Sequence, residues 1–276
     1  MTNPLNYILV DGIKCYSENV AADYSNYPDS GFELTDANVG SSFWVSSRNR
    51  LFKSMLQRLI TPNGKTKLLE IGCGTGDFIR QIYQNPGLEI TGSEIYLKGL
   101  FYAKKNLPSV EFIQFDVTQG SIDDSFDIIA AFDVIEHVDH DEIAISNIFQ
   151  MLNKGGTFIL SVPQHMFLWS RLDELVKHKR RYSKNELINK LSNSGFKVTY
   201  STSFVFSLFP LMLVSRLLDR KSKDEKSSDR GLEDRVQFPP LLNILFDCIM
   251  RVDEFLIRHG FSLPFGGTLV VIAVKS

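Results

Sequence analysis

The chain has 276 residues, enough for one large α/β domain or for one domain with a sizeable insertion, and its 43% hydrophobic and 22% charged residues are ordinary for a globular protein. The net charge of −2 provides no basic field, which argues against nucleic acid as a partner. The three cysteines, Cys15, Cys73 and Cys248, are far apart without metal-binding spacing, so we expect reduced thiols, a cytoplasmic location and no metal site.

The chain opens with a polar stretch, residues 1–40, that shows no clear hydrophobic period and is predicted to be an N-terminal extension. It lacks the basic region and long apolar core of a signal peptide, so none is expected. Residues 41–60 begin with serines that can cap a helix and continue with apolar side chains at helical spacing. We expect one helix here, ended by the Pro-Asn-Gly turn at 62–64.

Residues 68–76 read LLEIGCGTG, a short apolar run that leads into three glycines at alternate positions. The apolar run is typical of a strand buried on both faces of a parallel sheet. The glycines allow a tight turn and let a ligand approach the bare backbone, at the N-terminus of a helix that begins with Asp77. The segment therefore predicts a site for a nucleotide or a nucleoside-like cofactor.

Two acidic residues narrow the choice of cofactor. The dinucleotide fingerprint G-x-G-x-x-G requires a glycine where Asp77 stands, and an acidic side chain there repels a pyrophosphate. Glu70, directly before the loop, suits a ligand with an ammonium or sulfonium charge. An NAD-dependent oxidoreductase is thus the disfavoured alternative.

The loop resembles motif I of the class I S-adenosylmethionine (SAM) methyltransferases, E/D-x-G-x-G-x-G. The matching residues are Glu70, Gly72, Gly74 and Gly76. Later landmarks of that family follow in order as strands predicted at 88–96, 110–117, 125–138 and 154–163. The resemblance covers roughly residues 45–203 plus a last strand near 268–274, and it implies SAM as the cofactor.

The resemblance also implies the remaining cofactor contacts. Glu94, at the end of the second strand, is expected to accept hydrogen bonds from both ribose hydroxyls. Asp116 is expected to contact the adenine amino group, with Val117 and Phe132 also at the cofactor. The structural alternatives are a surface carboxylate for Glu94 and a helix cap for Asp116.

The implied fold class is α/β: a Rossmann-like, doubly wound, seven-stranded sheet whose last strand is antiparallel. We expect a SAM-binding core at 41–203, an inserted cap at 204–267 between strands six and seven, and a last core strand at 268–276. A charge run at 220–235 favours a mobile surface loop. The apolar stretch 204–214 is too short to span a bilayer, so it is either a buried helix or a lid that meets a lipid-linked substrate or the membrane surface.

Residues 162–183, called here the acceptor-side segment, leave the carboxyl edge of the sheet, where open α/β folds bind ligands. The predicted substrate-binding residues in it are Trp169, Arg180, Arg181 and Tyr182. A guanidinium pairs bidentately with phosphate or carboxylate, so the arginines favour an anionic acceptor. In the alternative, they pair with Asp173 or Glu174 and hold the cap closed.

Methyl transfer to a hydroxyl requires a base, whereas a carboxylate or a nitrogen lone pair needs none. The predicted bases are His137 and His178, although His137 also fits a packing role. FDVIEHV resembles a motif of ubiquinone-biosynthesis-type methyltransferases, and WSRLDELVKHKRRYS resembles a segment of bacterial methyltransferases of glycan or lipid-linked sugar pathways. No Asn/Asp-Pro-Pro-Tyr motif follows the fourth strand, which argues against methylation of nucleic-acid bases.

The leading hypothesis is a SAM-dependent methyltransferase that acts on a small or lipid-linked metabolite, with O-methylation favoured and peripheral membrane contact as an added expectation. The alternative is a non-catalytic SAM-binding protein, in which cofactor residues persist while catalytic residues drift. The acceptor's identity and the oligomeric state do not follow from the sequence.

Overall fold

The fold is built around one sheet of nine described strands, in a computed structural model that describes residues 5–17, 42–61, 64–221 and 238–276. The strands are β1 (Ile8–Val10), β2 (Ile13–Cys15), β3 (Thr66–Ile71), β4 (Leu88–Glu94), β5 (Glu111–Gln114), β6 (Phe126–Phe132), β7 (Leu152–Pro163), β8 (Phe196–Phe204) and β9 (Thr268–Lys275). Their order across the sheet is β1-β2-β5-β4-β3-β6-β7-β9-β8.

The sheet has a topological switch point between β3 and β6. From β3 the chain moves to one side through β4 and β5, then returns to build β6 and β7 on the other side, and these strands are parallel. In open α/β sheets, ligands bind at the carboxyl ends of the strands beside such a point. The predicted antiparallel last strand is confirmed, because β9 lies between β7 and β8 and is antiparallel to both.

The strand number differs from the predicted seven because the N-terminal extension adds two strands to the Rossmann-like core. β1 and β2 form an antiparallel hairpin, and β2 pairs in parallel with β5, where Lys14 lies opposite Ile113. The turn residues, Asp11 and Gly12, have positive φ values of 48° and 78°. Such two-residue turns match the twist of a hairpin, so this very short segment can pair onto the sheet edge.

Eight α-helices lie in the described ranges. They are α1 (Phe43–Leu56), α2 (Asp77–Arg80), α3 (Leu97–Asn106), α4 (Asp141–Met151), α5 (Arg171–Leu175), α6 (Lys184–Asn193), α7 (Phe209–Lys221) and α8 (Pro240–Arg258). The helix predicted within 41–60 ends at Leu56, before the predicted turn at 62–64, of which residues 62 and 63 lie outside the described residues. At α1 the Ser42 hydroxyl accepts a hydrogen bond from the Trp44 N–H. Ser183 and Glu186 form a capping box at the start of α6, and Gly195, at φ 95°, follows its end.

The inserted cap leaves and re-enters the sheet at the carboxyl edge. Phe204, at the end of β8, and Pro163, at the end of β7, both lie opposite Thr268, the first residue of β9. Within the cap, α8 packs on α1, where Arg50 pairs with Glu254 at 2.6 Å. The described residues that follow β8 and precede β9 are therefore anchored at the edge where the ligand is expected.

Two further predictions concern the cap. The described ranges contain no helix that is both long enough and apolar enough to cross a bilayer. The predicted charge run lies mostly in residues 222–237, which are outside the described residues. The domain boundaries themselves stay predictions.

Candidate functional site

The loop between β3 and α2, called here the glycine loop, presents bare backbone at the switch point. Gly72, Gly74 and Gly76 have backbone φ values of 71°, 53° and 81°, which residues other than glycine rarely adopt. A Cβ atom at Gly72 would lie 2.4 Å from the Val134 side chain, so close packing requires that glycine. A Cβ atom at Gly74 would have no described neighbour within 4 Å. The middle of the loop thus forms an open cradle for a ligand.

Glu94 connects the end of β4 to this cradle. Its Oε2 accepts a hydrogen bond from the Gly74 N–H at 3.0 Å, and its Oε1 accepts from the N–H groups of Ile95 at 2.7 Å and Tyr96 at 3.3 Å. Glu94 is 9% exposed, and burial raises its pKa although the three N–H groups oppose that rise. A carboxylate offers about four acceptor positions, so Glu94 keeps capacity for a ligand hydroxyl.

Four buried polar atoms in or beside the loop have no hydrogen-bond partner among the described residues. They are Oε2 of Glu70, Oγ1 of Thr75, Oδ1 of Asp77 and Oγ of Ser93. Burial raises the pKa of Glu70 to about 8, and the nearby Arg48 charge partly opposes that rise. Because buried polar atoms in native proteins are nearly always hydrogen-bonded, these four mark a place where a polar, cationic ligand can supply the partners.

Asp116 follows β5 and lies against the N-terminal extension. Its Oδ1 accepts hydrogen bonds from the backbone N–H and the hydroxyl of Thr118 at 2.8 Å and 2.7 Å, as a turn-capping residue does. Its own N–H donates to the Ser17 hydroxyl at 3.4 Å, and the Gln114 amide bonds both backbone groups of Ser17. The extension therefore passes beside the predicted adenine contact.

Val117 and Phe132, two further predicted cofactor residues, belong to the hydrophobic core. Val117 is 4% exposed, and its carbonyl accepts a hydrogen bond from the Asn147 amide at 2.8 Å. Phe132 stacks on Phe52 with 3.9 Å between ring centroids and meets the edge of Phe78 at 4.9 Å. Both residues hold neighbouring elements in place, and direct contact with a cofactor stays a prediction for each.

A polar network begins directly after β6. Asp133, at φ 57°, accepts hydrogen bonds from the Arg48 guanidinium at 2.7 Å and from the Ser161 hydroxyl at 2.8 Å. Burial raises the pKa values of Glu70 and Glu136, and the Arg48 charge lowers both. Arg48 therefore lies between the glycine loop and the residues that follow β6.

Glu136, His137 and His178, called here the Glu–His cluster, meet at the same edge of the sheet. One potential ligand atom from each lies within 4.8 Å of the others. Glu136 is 0% exposed, and neither carboxylate oxygen has a hydrogen-bond partner among the described residues. Burial raises the pKa of Glu136 well above its usual range and, although His137 is exposed as a residue, desolvation of its imidazole lowers its pKa to about 4.

Each imidazole of the cluster is oriented by a second group. Nδ1 of His178 lies 2.8 Å from Oδ1 of Asp173, which leaves its Nε2 3.8 Å from Oε1 of Glu136. His137 hydrogen-bonds the backbone of Lys177, and since this bond raises the imidazole pKa, the partner is the carbonyl. The structure thus brings together the two predicted bases and adds a carboxylate between them.

Arg181 is buried against Asp173. Its Nε and Nη2 atoms donate to the two carboxylate oxygens at 2.7 Å and 3.1 Å, and Arg181 is 6% exposed. Burial of Asp173 favours its neutral form, but hydrogen bonds from His178 and Arg181 prevail and lower its pKa. These contacts favour the alternative in which Arg181 holds its own segment in place.

The remaining predicted substrate residues differ in exposure. Tyr182 is fully buried and donates its hydroxyl to Asp141 at 2.7 Å, and Arg180 pairs with the same carboxylate at 3.0 Å. Trp169 is half-buried and follows the exposed Phe167. Substrate binding stays a prediction for all four residues.

Comparison with known proteins decides the family. The family described as "Methyltransferase domain" matches residues 44–201, more than half of the chain. The chain belongs to this methyltransferase family. A ubiquinone/menaquinone biosynthesis C-methyltransferase of Campylobacter jejuni is 26% identical over 186 residues, which cover 55% of this chain and 79% of that protein. A ubiquinone biosynthesis O-methyltransferase of Rickettsia typhi is 23% identical over 166 residues, which cover 52% of this chain and 65% of that protein.

Solved structures share the methyltransferase fold. Phosphoethanolamine N-methyltransferase 2 of Haemonchus contortus, in complex with SAM, has a TM-score of 0.57 and 17% identity, over 92% of this chain and 58% of that one. A TehB-like SAM-dependent methyltransferase of Corynebacterium glutamicum has a TM-score of 0.52 and 15% identity, over 94% of this chain and 100% of that one. At such identities the likeness shows the class I fold alone.

The methyltransferase uses SAM as its cofactor. Its residues fit that group on three observations. The cradle at Gly74 is open, Glu94 retains acceptor capacity for a ribose hydroxyl, and the partnerless carboxylate of Glu70 suits a cationic ligand. These residues would hold the cofactor between the carboxyl ends of β3 and β4.

Four residues near the methyltransferase's candidate site have no role predicted from the sequence. They are Ser17, Arg48, Asp133 and Glu136. Asp133 and Glu136 lie in the FDVIEHV motif, so their acidic character beside His137 was an available signal. Ser17 and Arg48 act through partners that are distant in sequence, Asp116 and Asp133. Asp173 was predicted only as an alternative partner of the arginines, and it bonds Arg181 and also His178.

Proposed function

We propose that this methyltransferase transfers the methyl group of SAM to a hydroxyl oxygen of a small acceptor that carries an apolar tail. The observation that carries the proposal is the inserted cap, which is anchored at the carboxyl edge and exposes apolar side chains. Relatives named as O-methyltransferases, for ubiquinone biosynthesis and for malonyl-[acyl-carrier protein], support oxygen as the acceptor atom. Another relative is named as a C-methyltransferase, so the names alone do not select oxygen.

Helix α8 of the cap has two apolar faces. One is buried against α1 and the sheet and includes Phe246, Met250 and Ile257. The other is exposed, with Leu241 at 82% and Val252 at 51%. The exposed apolar residues of α8 recur at three- and four-residue spacing: Leu241, Ile244, Leu245, Val252 and Phe255. A helix of one soluble domain needs a single apolar face, so the second supports contact with an acceptor's lipid part or a membrane surface.

A second group of apolar side chains, mostly aromatic, lies between the start of α7 and the acceptor-side segment. Phe209, at the start of α7, lies 5.1 Å from Phe265 and 6.2 Å from His165 between ring centroids. Phe167, on the acceptor-side segment, stacks on His165 at 4.9 Å and is 52% exposed. Such a row of rings suits the apolar tail of an acceptor whose reactive head reaches the cofactor.

The chemistry requires the acceptor oxygen to lose a proton. When bound, SAM supplies the electrophilic methyl group, and the protein must align the oxygen and exclude water. The Glu–His cluster includes His178 of the acceptor-side segment and is the group that we assign to hydroxyl activation. The orientation of His178 by Asp173 gives the cluster a fixed geometry.

The test uses two acceptors that share one hydroxyl head group and differ only in an alkyl chain. Conversion of SAM to S-adenosylhomocysteine is measured for both, with and without lipid vesicles. We expect a lower Michaelis constant for the long-chain acceptor. Methylation of an acceptor nitrogen or carbon with no turnover of any hydroxyl would contradict the proposal.

The predicted cytoplasmic location stays a prediction.

A further inference from the structure

We infer that the Glu–His cluster binds one divalent transition-metal ion, with Glu136, His137 and His178 as the protein ligands. The cysteine spacing predicts no metal site, but these ligands come from two segments that only the fold brings together. The ion's role in activating the acceptor hydroxyl rests on the proposed function. Ion binding itself does not.

The first argument is charge. Glu136 is 0% exposed, and both its oxygens lack a hydrogen-bond partner among the described residues. Buried charges in proteins are normally paired or coordinate a metal. The neighbouring charges are already matched, since Arg48 pairs with Asp133 at 2.7 Å and Arg181 pairs with Asp173 at 2.7 Å.

The second argument is the orientation of the imidazoles. Histidines that bind a metal usually donate the N–H of their other ring nitrogen to a carboxylate or a backbone carbonyl. His178 has this arrangement, with Nδ1 2.8 Å from Asp173 and Nε2 directed to the Glu136 side. The imidazole of His137 makes the corresponding hydrogen bond to the backbone carbonyl of Lys177. Both rings thus keep one unprotonated nitrogen for the cluster.

The third argument is spacing. Ion-to-ligand distances of about 2.0–2.2 Å in tetrahedral geometry place two ligand atoms of one ion roughly 3.3–3.6 Å apart. The cluster spans up to 4.8 Å, so a side-chain movement of somewhat more than about 1 Å closes it. His137 is the exposed member and has space for that movement. Two imidazoles and a carboxylate favour Zn²⁺, Fe²⁺ or Co²⁺ over Mg²⁺ or Ca²⁺ and leave a coordination position open.

The open position gives the ion a role in the transfer. A hydroxyl bound to a divalent ion has a lowered pKa and releases its proton to water near neutral pH. The resulting oxygen anion attacks the methyl carbon of SAM. The O–C bond forms while the C–S bond breaks, and its electron pair stays on sulfur, which leaves neutral S-adenosylhomocysteine.

The competing arrangement contains no ion. In it, a protonated His178 lies between Asp173 and Glu136, at 2.8 Å and 3.8 Å, and only holds the acceptor-side segment. The charges would balance there too. The two arrangements differ in whether the protein binds an ion in the absence of any acceptor.

The experiment uses full-length protein without a histidine tag, stripped with a chelator and dialysed. Titration with Zn²⁺ by calorimetry, and with Co²⁺ by visible absorption, is carried out without SAM and without an acceptor. We expect one ion per chain and at least a tenfold loss of affinity in Glu136→Gln and His178→Ala. The control is His259→Ala, an exposed histidine at the end of α8, which should bind the ion normally. SAM binding by each variant verifies that its fold is intact.

No binding by the wild-type protein, or equal binding by wild type and both cluster variants that still bind SAM, would overturn the inference. Failure of the proposed function has a different signature: the ion binds as expected, but no hydroxyl acceptor is methylated. Where a hydroxyl acceptor is found, its turnover should stop with a chelator and return with added Zn²⁺ or Co²⁺. Full turnover in chelator would overturn the ion's catalytic role.

Discussion

Oε2 of Glu94, at the end of β4, lies 3.0 Å from the backbone nitrogen of Gly74 in the middle of the glycine loop. The contact fixes the loop to the neighbouring strand. The same carboxylate is predicted to bind the ribose of SAM. Glu94 therefore combines a structural and a ligand-binding role, and variants at this position must separate them.

Glu94→Ala should weaken SAM binding by tenfold or more, because a hydrogen bond to a charged group is worth about 1.5–3 kcal/mol and one decade is about 1.4 kcal/mol. It should also lower stability, since the N–H groups of Gly74, Ile95 and Tyr96 lose their acceptor. Glu94→Gln retains one carbonyl acceptor and is the milder comparison. Calorimetry below the unfolding temperature measures affinity for both. Unchanged SAM affinity in the folded alanine variant would refute the ribose contact.

Burial of Glu70 makes the stability of the SAM-free protein depend on pH. Its pKa is raised from 4.5 to about 8, so between these values the folded state holds a proton that the unfolded state has released. Stability therefore falls as pH rises through this window. Glu70→Gln removes that dependence and should be more stable than wild type at pH 8 by a few kcal/mol, with a ceiling of about 5 kcal/mol at 1.36 kcal/mol per unit.

Urea denaturation of both proteins between pH 4.5 and 8.5 measures this difference. The control is Glu89→Gln, at an exposed position of β4. The free energy of unfolding of this variant should depend on pH as that of wild type does. SAM carries a positive charge, so its binding near pH 7 should release a proton from wild type but not from Glu70→Gln. A constant stability difference across the pH range would rule out the buried carboxylate as its source.

The cofactor half of the site could be predicted because its signals are local. An apolar strand, alternate glycines and Asp77 lie within ten consecutive residues, and Glu94 and Asp116 end the next two strands. Parallel strands bring their carboxyl ends to one edge, so the order of these landmarks determines their proximity. The Asp11-Gly12 turn was a further local signal, but strands of three residues give too little hydrophobic period to recognise.

The acceptor half depends on which charged groups pair with each other, and residue types alone do not determine that. The sequence left open whether Arg181 binds an anionic substrate or pairs with Asp173 or Glu174, and in the fold it lies 2.7 Å from Asp173. His178 lies 3.8 Å from Glu136, a residue far from it in sequence, and no local signal predicts that approach. The sequence therefore offered one internal partner and missed the other, and substrate binding by this segment stays a prediction.

The exposed face of α8 should govern the use of apolar acceptors. Leu241→Ser combined with Val252→Ser should leave the unfolding temperature and SAM affinity close to wild type, because both side chains are more than half exposed. The Michaelis constant for a long-chain acceptor should rise several-fold, while that for its short-chain analogue stays constant. Met250→Ala, on the buried face, should instead cost about 2–5 kcal/mol of stability. Equal kinetic effects on both acceptors would argue against a lipid contact.

Arg181→Lys tests whether this arginine binds the acceptor or holds its own segment. Lysine keeps the charge but cannot reproduce the two parallel hydrogen bonds, at 2.7 Å and 3.1 Å, that Arg181 donates to Asp173. Since breaking a buried pair outright costs about 3–5 kcal/mol, we expect the substitution to lower the free energy of unfolding by roughly 1–3 kcal/mol. Arg251→Lys, at an exposed pair with Asp247, should change it by less than about 0.5 kcal/mol.

The kinetic outcome distinguishes the two roles. If Arg181 holds the segment, the substitution should affect an anionic acceptor and its neutral analogue alike, because Asp173 loses its partner and His178 loses its orientation in both cases. If Arg181 binds the acceptor, the Michaelis constant should rise for the anionic acceptor alone, with little loss of stability. The 6% exposure of Arg181 and its two bonds to Asp173 favour the first outcome. A selective loss of the anionic acceptor at unchanged stability would require a guanidinium that leaves Asp173 when substrate binds.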